Sequence, residues 1–193
     1  MKELYKYVNI PDFEIVQQEL LNCIEHDYKS KGTHAFTYKE DYITKTCPTF
    51  MAWIKPKSKL PFRLLRFYIT PPGERLGAHI DGIISKATVP FGLNIPVAGT
   101  RDTYHTFFHC DPENLKKEYP PGYLGGSHPI DFSKCVELEK LEILKPCFTR
   151  NDVMHSVENN SDDFRVMFTV RWILHPTIGR TIEEVIKTDD LFL

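Results

Sequence analysis

Two short stretches of this chain carry residue types at spacings that suit metal chemistry. The first is Ala78 to Gly82 (AHIDG) and the second is Asn151 to Trp172 (NDVMHSVENNSDDFRVMFTVRW). His79 and Asp81 are two apart, so on a strand both side chains point to one side and can converge on one ion. His155 is centred in a short apolar segment and completes a set of two imidazoles and one carboxylate. Held on one face of a metal with the other positions open, that set suits ferrous iron that must accept a co-substrate and oxygen. An HxD pair by itself is a weak signal, because it is commonly two surface polar residues or an ordinary hydrogen bond. Specificity comes from its combination with His155 and with Arg165, ten residues further on.

These residues need strands to position them. Asp152 to Val157 reads as a strand, Glu158 to Asp163 as a polar turn, and Phe164 to Ile173 as a second strand of β-branched and aromatic residues. Alternation puts Arg165, Met167, Thr169 and Arg171 on one face and Phe164, Val166, Phe168, Val170 and Trp172 on the other. An arginine in the middle of such a strand is costly to bury unless an anion meets it. A structural ion pair with an Asp or Glu is one way to meet that cost. Arg171, six residues on, either meets an acidic substrate near a barrel mouth or is a solvent-exposed arginine.

The rest of the chain supplies the scaffold. Pro11 to about His26 has Phe13, Val16, Leu20 and Ile24 at helical spacing, with Pro11 suited to a first turn. Phe36 to Tyr42 and Phe50 to Ile54 are candidate strands. From Phe62 the pattern is clearly β: Arg63 to Thr70, Leu76 to Ile84, Phe91 to Val97, Thr103 to His109, Val136 to Leu144 and the two late strands. Thr181 followed by Glu184 forms a capping box that opens a short C-terminal helix. Many short strands with helices mainly at the ends predict a mainly β, antiparallel double sheet of the jelly-roll or cupin-like kind. With 193 residues and 41% apolar content, one domain over 1–193 is expected.

Composition narrows the classes of function. A net charge of -2 from 24 basic and 26 acidic residues implies no duplex nucleic-acid footprint. No stretch reaches membrane-spanning length, and no signal-peptide region opens the chain. Five scattered cysteines, an odd number without a CxxC pair, fit a reduced and cytoplasmic setting.

The order HxD, distant His, then a basic residue ten positions on resembles the Fe(II)- and 2-oxoglutarate-dependent oxygenases, whose fold is a double-stranded β-helix. The resemblance covers about residues 62–175. FYITPPGERLGAHID looks like prolyl-hydroxylase-type members; HSVENNSDDFRVMFTVRWILHP with GLNIPV looks like the aspartyl/asparaginyl β-hydroxylase branch. It implies His79, Asp81 and His155 as iron ligands and Arg165 as the grip on the distal carboxylate of 2-oxoglutarate, where a guanidinium fork matches a carboxylate. Tyr68 would contact the co-substrate and Asn94 its C1 carboxylate end. The chain departs from the asparaginyl branch in keeping Asp81, which some of its members lack. It also has Thr88 and Pro90 about where that branch places basic residues.

The implied activity is a dioxygenase using Fe(II), 2-oxoglutarate and O2 to hydroxylate an amino acid, a protein side chain or another small substrate, with release of succinate and CO2. Residues 98–134, rich in loop residues and aromatics, are either a lid that shapes substrate choice or a surface excursion. His105, His109 and His128 lack a paired pattern and read as polar loop or strand residues. Two other classes fit the same residues. A cupin-like, non-redox enzyme or binding module would hold zinc or manganese on His79, Asp81 and His155 without 2-oxoglutarate, and Arg165 would then pair with a protein carboxylate. An interaction domain would carry the same site in degenerate form.

Overall fold

The computed structural model describes residues 3–24, 35–81, 89–118, 126–189 and 191–192. In chain order its first half holds β1 (Tyr5–Tyr7), α1 (Phe13–Cys23), β2 (Ala35–Tyr38), α2 (Glu40–Thr46), α3 (Pro48–Ile54), β3 (Phe62–Thr70), β4 (Arg75–His79) and β5 (Phe91–Ala98). Then come β6 (Thr103–His109), β7 (Leu115–Glu118), β8 (Gly126–Pro129), β9 (Val136–Leu141), β10 (Cys147–Arg150), β11 (Met154–Asn159), β12 (Arg165–Trp172) and α4 (Ile182–Val185). A six-stranded sheet runs β1-β10-β5-β12-β3-β2, a four-stranded sheet runs β4-β11-β6-β9, and β7 pairs with β8. The fold is mainly antiparallel β, a jelly roll with flanking helices, as expected. No helix among the described residues is long and apolar enough to cross a membrane.

β12 lies inside the large sheet between β5 and β3, so both its edges are paired, and all its residues but Arg171 are buried. Val166, Phe168 and Val170 point outward with Phe67, Ile69, Leu93 and Ile95, and pack against Val16, Leu20, Ile43, Phe50 and Ile54 of the three N-terminal helices. The Phe168 ring stands edge-on to Phe50 at 5.6 Å and lies 4.7 Å from Phe67. Arg165, Met167 and Thr169 point the other way, opposite Thr70, Tyr68 and Arg66 of β3. Thr169 is also opposite Asn94 of β5. On that side a small apolar cluster, Leu141 and Ile143 with Cys147 and Met167, joins the two sheets.

Two expected strands are replaced or cut short. Phe36–Tyr42 gives β2 only as far as Tyr38, after which the chain enters α2 with Glu40 and Asp41 in its first turn, where the helix dipole favours acidic residues. Phe50–Ile54 is not a strand but part of α3. A short apolar run does not distinguish strand from buried helix by periodicity alone. Here Pro48 opens the helix, and Phe50, Met51 and Ile54 are buried at helical spacing. The Glu19 carboxylate of α1 accepts from the amides of Thr49 at 3.1 Å and Phe50 at 3.3 Å, which satisfies donors at the α3 start. The N-terminal helix ends at Cys23, with His26 outside the described residues. The capping box forms as read: Thr181 Oγ1 accepts from the Glu184 amide at 3.2 Å, and Glu184 Oε2 accepts from the Thr181 amide at 2.8 Å. Strands β1 and β10, too short for a pattern, complete the large sheet.

Gly99, just after β5, has φ +57°, and a Cβ there would lie 2.1 Å from the carbonyl oxygen of Phe164, immediately before Arg165. Gly73 also has positive φ, +71°, but nothing lies within 4 Å of its would-be Cβ. Gly99→Ala is therefore expected to lose more stability in urea unfolding than Gly73→Ala. The control should forfeit only the left-handed strain of roughly 1–2 kcal/mol, and equal losses would show that Phe164 yields freely.

Candidate metal centre

His79 ends β4 and His155 lies near the start of β11, and the two residues face each other directly in the ladder. Asp81 follows β4, where its amide donates to the Asn151 carbonyl at 3.1 Å. His79 Nε2 is 3.5 Å from Asp81 Oδ1, and His155 Nε2 is 3.8 Å from Asp81 Oδ2. One donor atom from each of the three lies within 4.8 Å of the others. The imidazole centroids are 4.6 Å apart.

Backbone carbonyls set the tautomers. His79 Nδ1 is 2.8 Å from the Gly77 carbonyl and His155 Nδ1 is 2.9 Å from that of Val153. A carbonyl only accepts, so Nδ1 carries the proton and Nε2 of the neutral ring presents a lone pair inward. Burial depresses His155 to about 4, the nearby Asp81 charge recovering only part, so the ring is neutral near pH 7. Burial also acts against the charge on His79, but hydrogen bonding and attraction from Asp81 outweigh it and raise the pKa. For Asp81, burial favours the neutral acid, yet the Arg171 guanidinium and the two imidazoles hold the carboxyl well below the usual range.

The two arginines on the inner face of β12 have different surroundings. Arg171 Nη2 hydrogen-bonds Asp81 Oδ2. Its charge is opposed by burial and restored chiefly by Asp81, with Tyr68 also contributing. The side chain is buried against this carboxylate rather than open to solvent. Arg165 is 4% exposed, and among the described residues its guanidinium has neither an ion pair nor a hydrogen bond. Burial lowers it to about 10, and the only group that opposes this is the Cys147 thiol. Removing a guanidinium from water without a counter-ion costs several kcal/mol.

Tyr68 is half-buried on the strand beside β12, opposite Met167. Asn94 is buried with both ends of its amide engaged: Nδ2 donates to Thr149 Oγ1 and Oδ1 accepts from Thr169 Oγ1, each at 2.6 Å. His105, expected as a polar loop or strand residue, points inward. It is 6% exposed and stacks on His155 at 4.7 Å and 13°, and its buried Nε2 has no partner among the described residues. Burial first, then the His155 and Arg165 charges, push it well below its ordinary pKa. Strict alternation in TYHTFFH, which puts His105 on the face of the fully buried Phe107, was the signal available. His109 pairs at the surface with Asp111. His128 Nδ1 lies 3.3 Å from the Ala78 carbonyl.

Residues 98–134 divide into parts. β6 belongs to the four-stranded sheet, whereas β8 docks on the ligand segment: Ser127 and Ile80 exchange backbone hydrogen bonds of 2.8 and 3.2 Å. Ile80 stands between His79 and Asp81. Tyr119, Tyr123, Thr88 and the 82–84 end of the expected second strand lie outside the described residues.

Among solved structures, the chain is similar to the non-heme alpha ketoglutarate-dependent carbocyclase SnoK from nogalamycin biosynthesis, with TM-score 0.55 and 12% identity over 89% of this chain and 80% of that one. The alpha ketoglutarate-dependent epimerase SnoN of the same biosynthesis gives 0.54 and 13% over 89% and 77%. A prolyl-4-hydroxylase of Pseudomonas putida gives 0.51 and 10% over 90% and 94%. At these identities the likeness establishes the fold. No protein-family model and no curated protein matches the chain.

The depressed His155 pKa makes the fold sensitive to acid. The unfolded ring takes up a proton near pH 6.5 and the folded one near 4, so the unfolded state binds more protons between these values. Stability contributed by neutral His155 is present above pH 6.5 and is lost as pH falls towards 4, by at most about 3 kcal/mol. In metal-free protein, urea midpoints measured across this window should fall with pH, and His155→Gln should flatten part of the slope. An unchanged slope would show that His155 is not the group responsible.

Proposed function

We propose that this chain is an Fe(II)- and 2-oxoglutarate-dependent oxygenase that oxidises a C–H bond of a small molecule or an amino-acid side chain, with 1–193 as one catalytic domain. The observation that carries this reading is Arg165, a buried guanidinium without a counter-ion among the described residues, on the inner face of the strand that also brings Arg171 to Asp81. A dicarboxylate that reaches both a metal and a guanidinium fits such an interior. The alpha ketoglutarate dependence of SnoK and SnoN supports the same reading.

The donor set fits iron: two imidazoles with Nδ1 on backbone carbonyls and Nε2 inward, and one ionised carboxylate, the ligand type of non-heme Fe(II) oxygenases. His79, Asp81 and His155 would hold the metal. A metal held there would supply the coupling of 2-oxoglutarate and O2 consumption, with succinate and CO2 as products, to oxidation of the substrate. Arg165 anchors the distal carboxylate through its guanidinium fork. Tyr68 and His105 line the same interior as contacts for the co-substrate. Arg171 holds the Asp81 carboxylate ionised and oriented, as a partner outside the ligand set does for a metal ligand. β8, docked on Ile80, is the part of residues 98–134 placed to shape substrate choice. A reducing, cytoplasmic setting suits both ferrous iron and free thiols. The non-redox alternative requires a protein carboxylate beside Arg165, and no described residue supplies one.

Anaerobic titration of the apo-protein with Fe(II) and 2-oxoglutarate should produce the visible charge-transfer band of the chelate. The band should vanish in His155→Ala, and Arg165→Ala should need roughly two orders of magnitude more 2-oxoglutarate, the loss of two charge-assisted hydrogen bonds. Stoichiometric iron with no band would remove the co-substrate assignment.

A second expectation separates Arg165 from an ordinary structural residue. Replacing a buried charge with an apolar side chain of similar volume is commonly neutral or stabilising by about 1–4 kcal/mol. Metal-free Arg165→Met should therefore unfold at a higher urea concentration than the parent while losing the band at the parent's 2-oxoglutarate requirement. A destabilised variant would point to a structural role for the guanidinium.

A further inference from the structure

Four of the five cysteines stand in two facing pairs. Cys23 and Cys47 are buried between helices, where their thiols hydrogen-bond each other. The second pair, Cys110 and Cys135, lies at the foot of the excursion that docks on the metal-ligand segment. In the β6–β9 ladder Phe108 faces Glu137 and His109 faces Val136, and the next step sets Cys110 opposite Cys135. Facing residues in an antiparallel ladder have Cα atoms about 4.5–5.5 Å apart, within the span of roughly 4.4–6.8 Å that a disulfide bridges. The two thiols hydrogen-bond each other, and Asn114 Nδ2 lies 3.3 Å from Cys110 Sγ and 4.0 Å from Cys135 Sγ. Both residues are partly exposed, whereas the other three cysteines are buried, so an oxidant in solution reaches this pair.

The excursion is stitched together just above these sulfurs. The Asn114 side chain donates to the Asp131 carbonyl at 2.8 Å and accepts from the Asp131 amide at 2.9 Å. The Ile130 amide donates to the Asn114 carbonyl at 2.7 Å. Beyond them β8 reaches Ile80, between His79 and Asp81. A covalent bond at Cys110 and Cys135 would close this ladder at the end where the excursion leaves the sheet.

We propose that Cys110 and Cys135 are a peroxide-oxidisable dithiol whose disulfide ties off the excursion and holds β8 against the metal-ligand segment. The Cys110 thiolate attacks one oxygen of hydrogen peroxide and breaks the O–O bond, giving a sulfenic acid and hydroxide. The Cys135 sulfur then attacks the sulfenic sulfur, the S–S bond forms, and the hydroxyl leaves as water with the Cys135 proton. Two electrons pass from the sulfurs to the peroxide, so two thiols and one peroxide yield one disulfide and two waters. Asn114 Nδ2 stands closer to Cys110 Sγ, at 3.3 Å, than to Cys135 Sγ, at 4.0 Å, so its N–H supports a thiolate on Cys110, while burial and the adjacent Cys110 push the Cys135 thiol up. The inference does not depend on which metal or co-substrate the site takes.

Metal-free, chelator-treated protein is exposed to hydrogen peroxide, alkylated, digested and mapped by mass spectrometry, with hydrogen exchange followed on peptides covering 126–129. The expected result is an intramolecular Cys110–Cys135 linked peptide, lighter by two hydrogens, that dithiothreitol reverses. Exchange at 126–129 slows several-fold in the oxidised form, and Cys23→Ala retains the link. Separate alkylation or over-oxidation of Cys110 and Cys135, or a link only between two copies of the chain, would overturn the dithiol. A link that leaves exchange at 126–129 unchanged would overturn the hold on β8.

Discussion

Side-chain alternation along β12 puts Val166, Phe168 and Val170 beneath the helices and Arg165, Thr169 and Arg171 in the interior, and neither placement can change without the other. A slip of one residue would turn the arginines into the apolar core and the aromatics into the site. The register is therefore fixed twice over, once by apolar burial and once by charge. Pairing with β3 on one side and β5 on the other carries the same division to Tyr68 and Asn94.

Charge inside the barrel is arranged unevenly. Asp81 answers Arg171, and the two hold each other ionised at a depth where either alone would be strongly disfavoured. Among the described residues Arg165 has no such answer, and the imidazoles of His155 and His105 are kept neutral by burial. The interior is thus deficient in negative charge around Arg165. An anionic guest with acceptor atoms for a guanidinium meets that deficit, and a neutral guest does not.

The parts legible in the sequence were those with a strong local rule. HxD puts two side chains on one side, the polar and apolar faces of β12 follow from alternation, and Thr181 with Glu184 announces a helix start. What the sequence hid depends on distance between sheets. Alternation shows that Arg171 faces inward but not that Asp81 waits for it, because the separation is set by how β4 and β12 stack. His105 is readable by the same alternation that exposes Arg165, but without a partner at recognisable spacing it reads only as a polar loop or strand residue. The α3 segment was ambiguous because five apolar residues satisfy a strand and a buried helix equally well. Three and four residues are too few for any period to show, which concealed β1 and β10.

The principal apolar core lies on the helix-covered face of the large sheet, and not between the two sheets. Most β-sandwiches rely on the space between their sheets to hold the fold together, so every residue there answers to stability first. Here that space holds mainly polar side chains, while cohesion comes from the opposite surface of the same strands. The sheet therefore works as a partition. Mutational drift on the inner surface can reshape what is admitted and how it is held, while the anchoring surface goes on paying the entropy of folding. Such a scaffold can acquire new guests faster than it loses its shape.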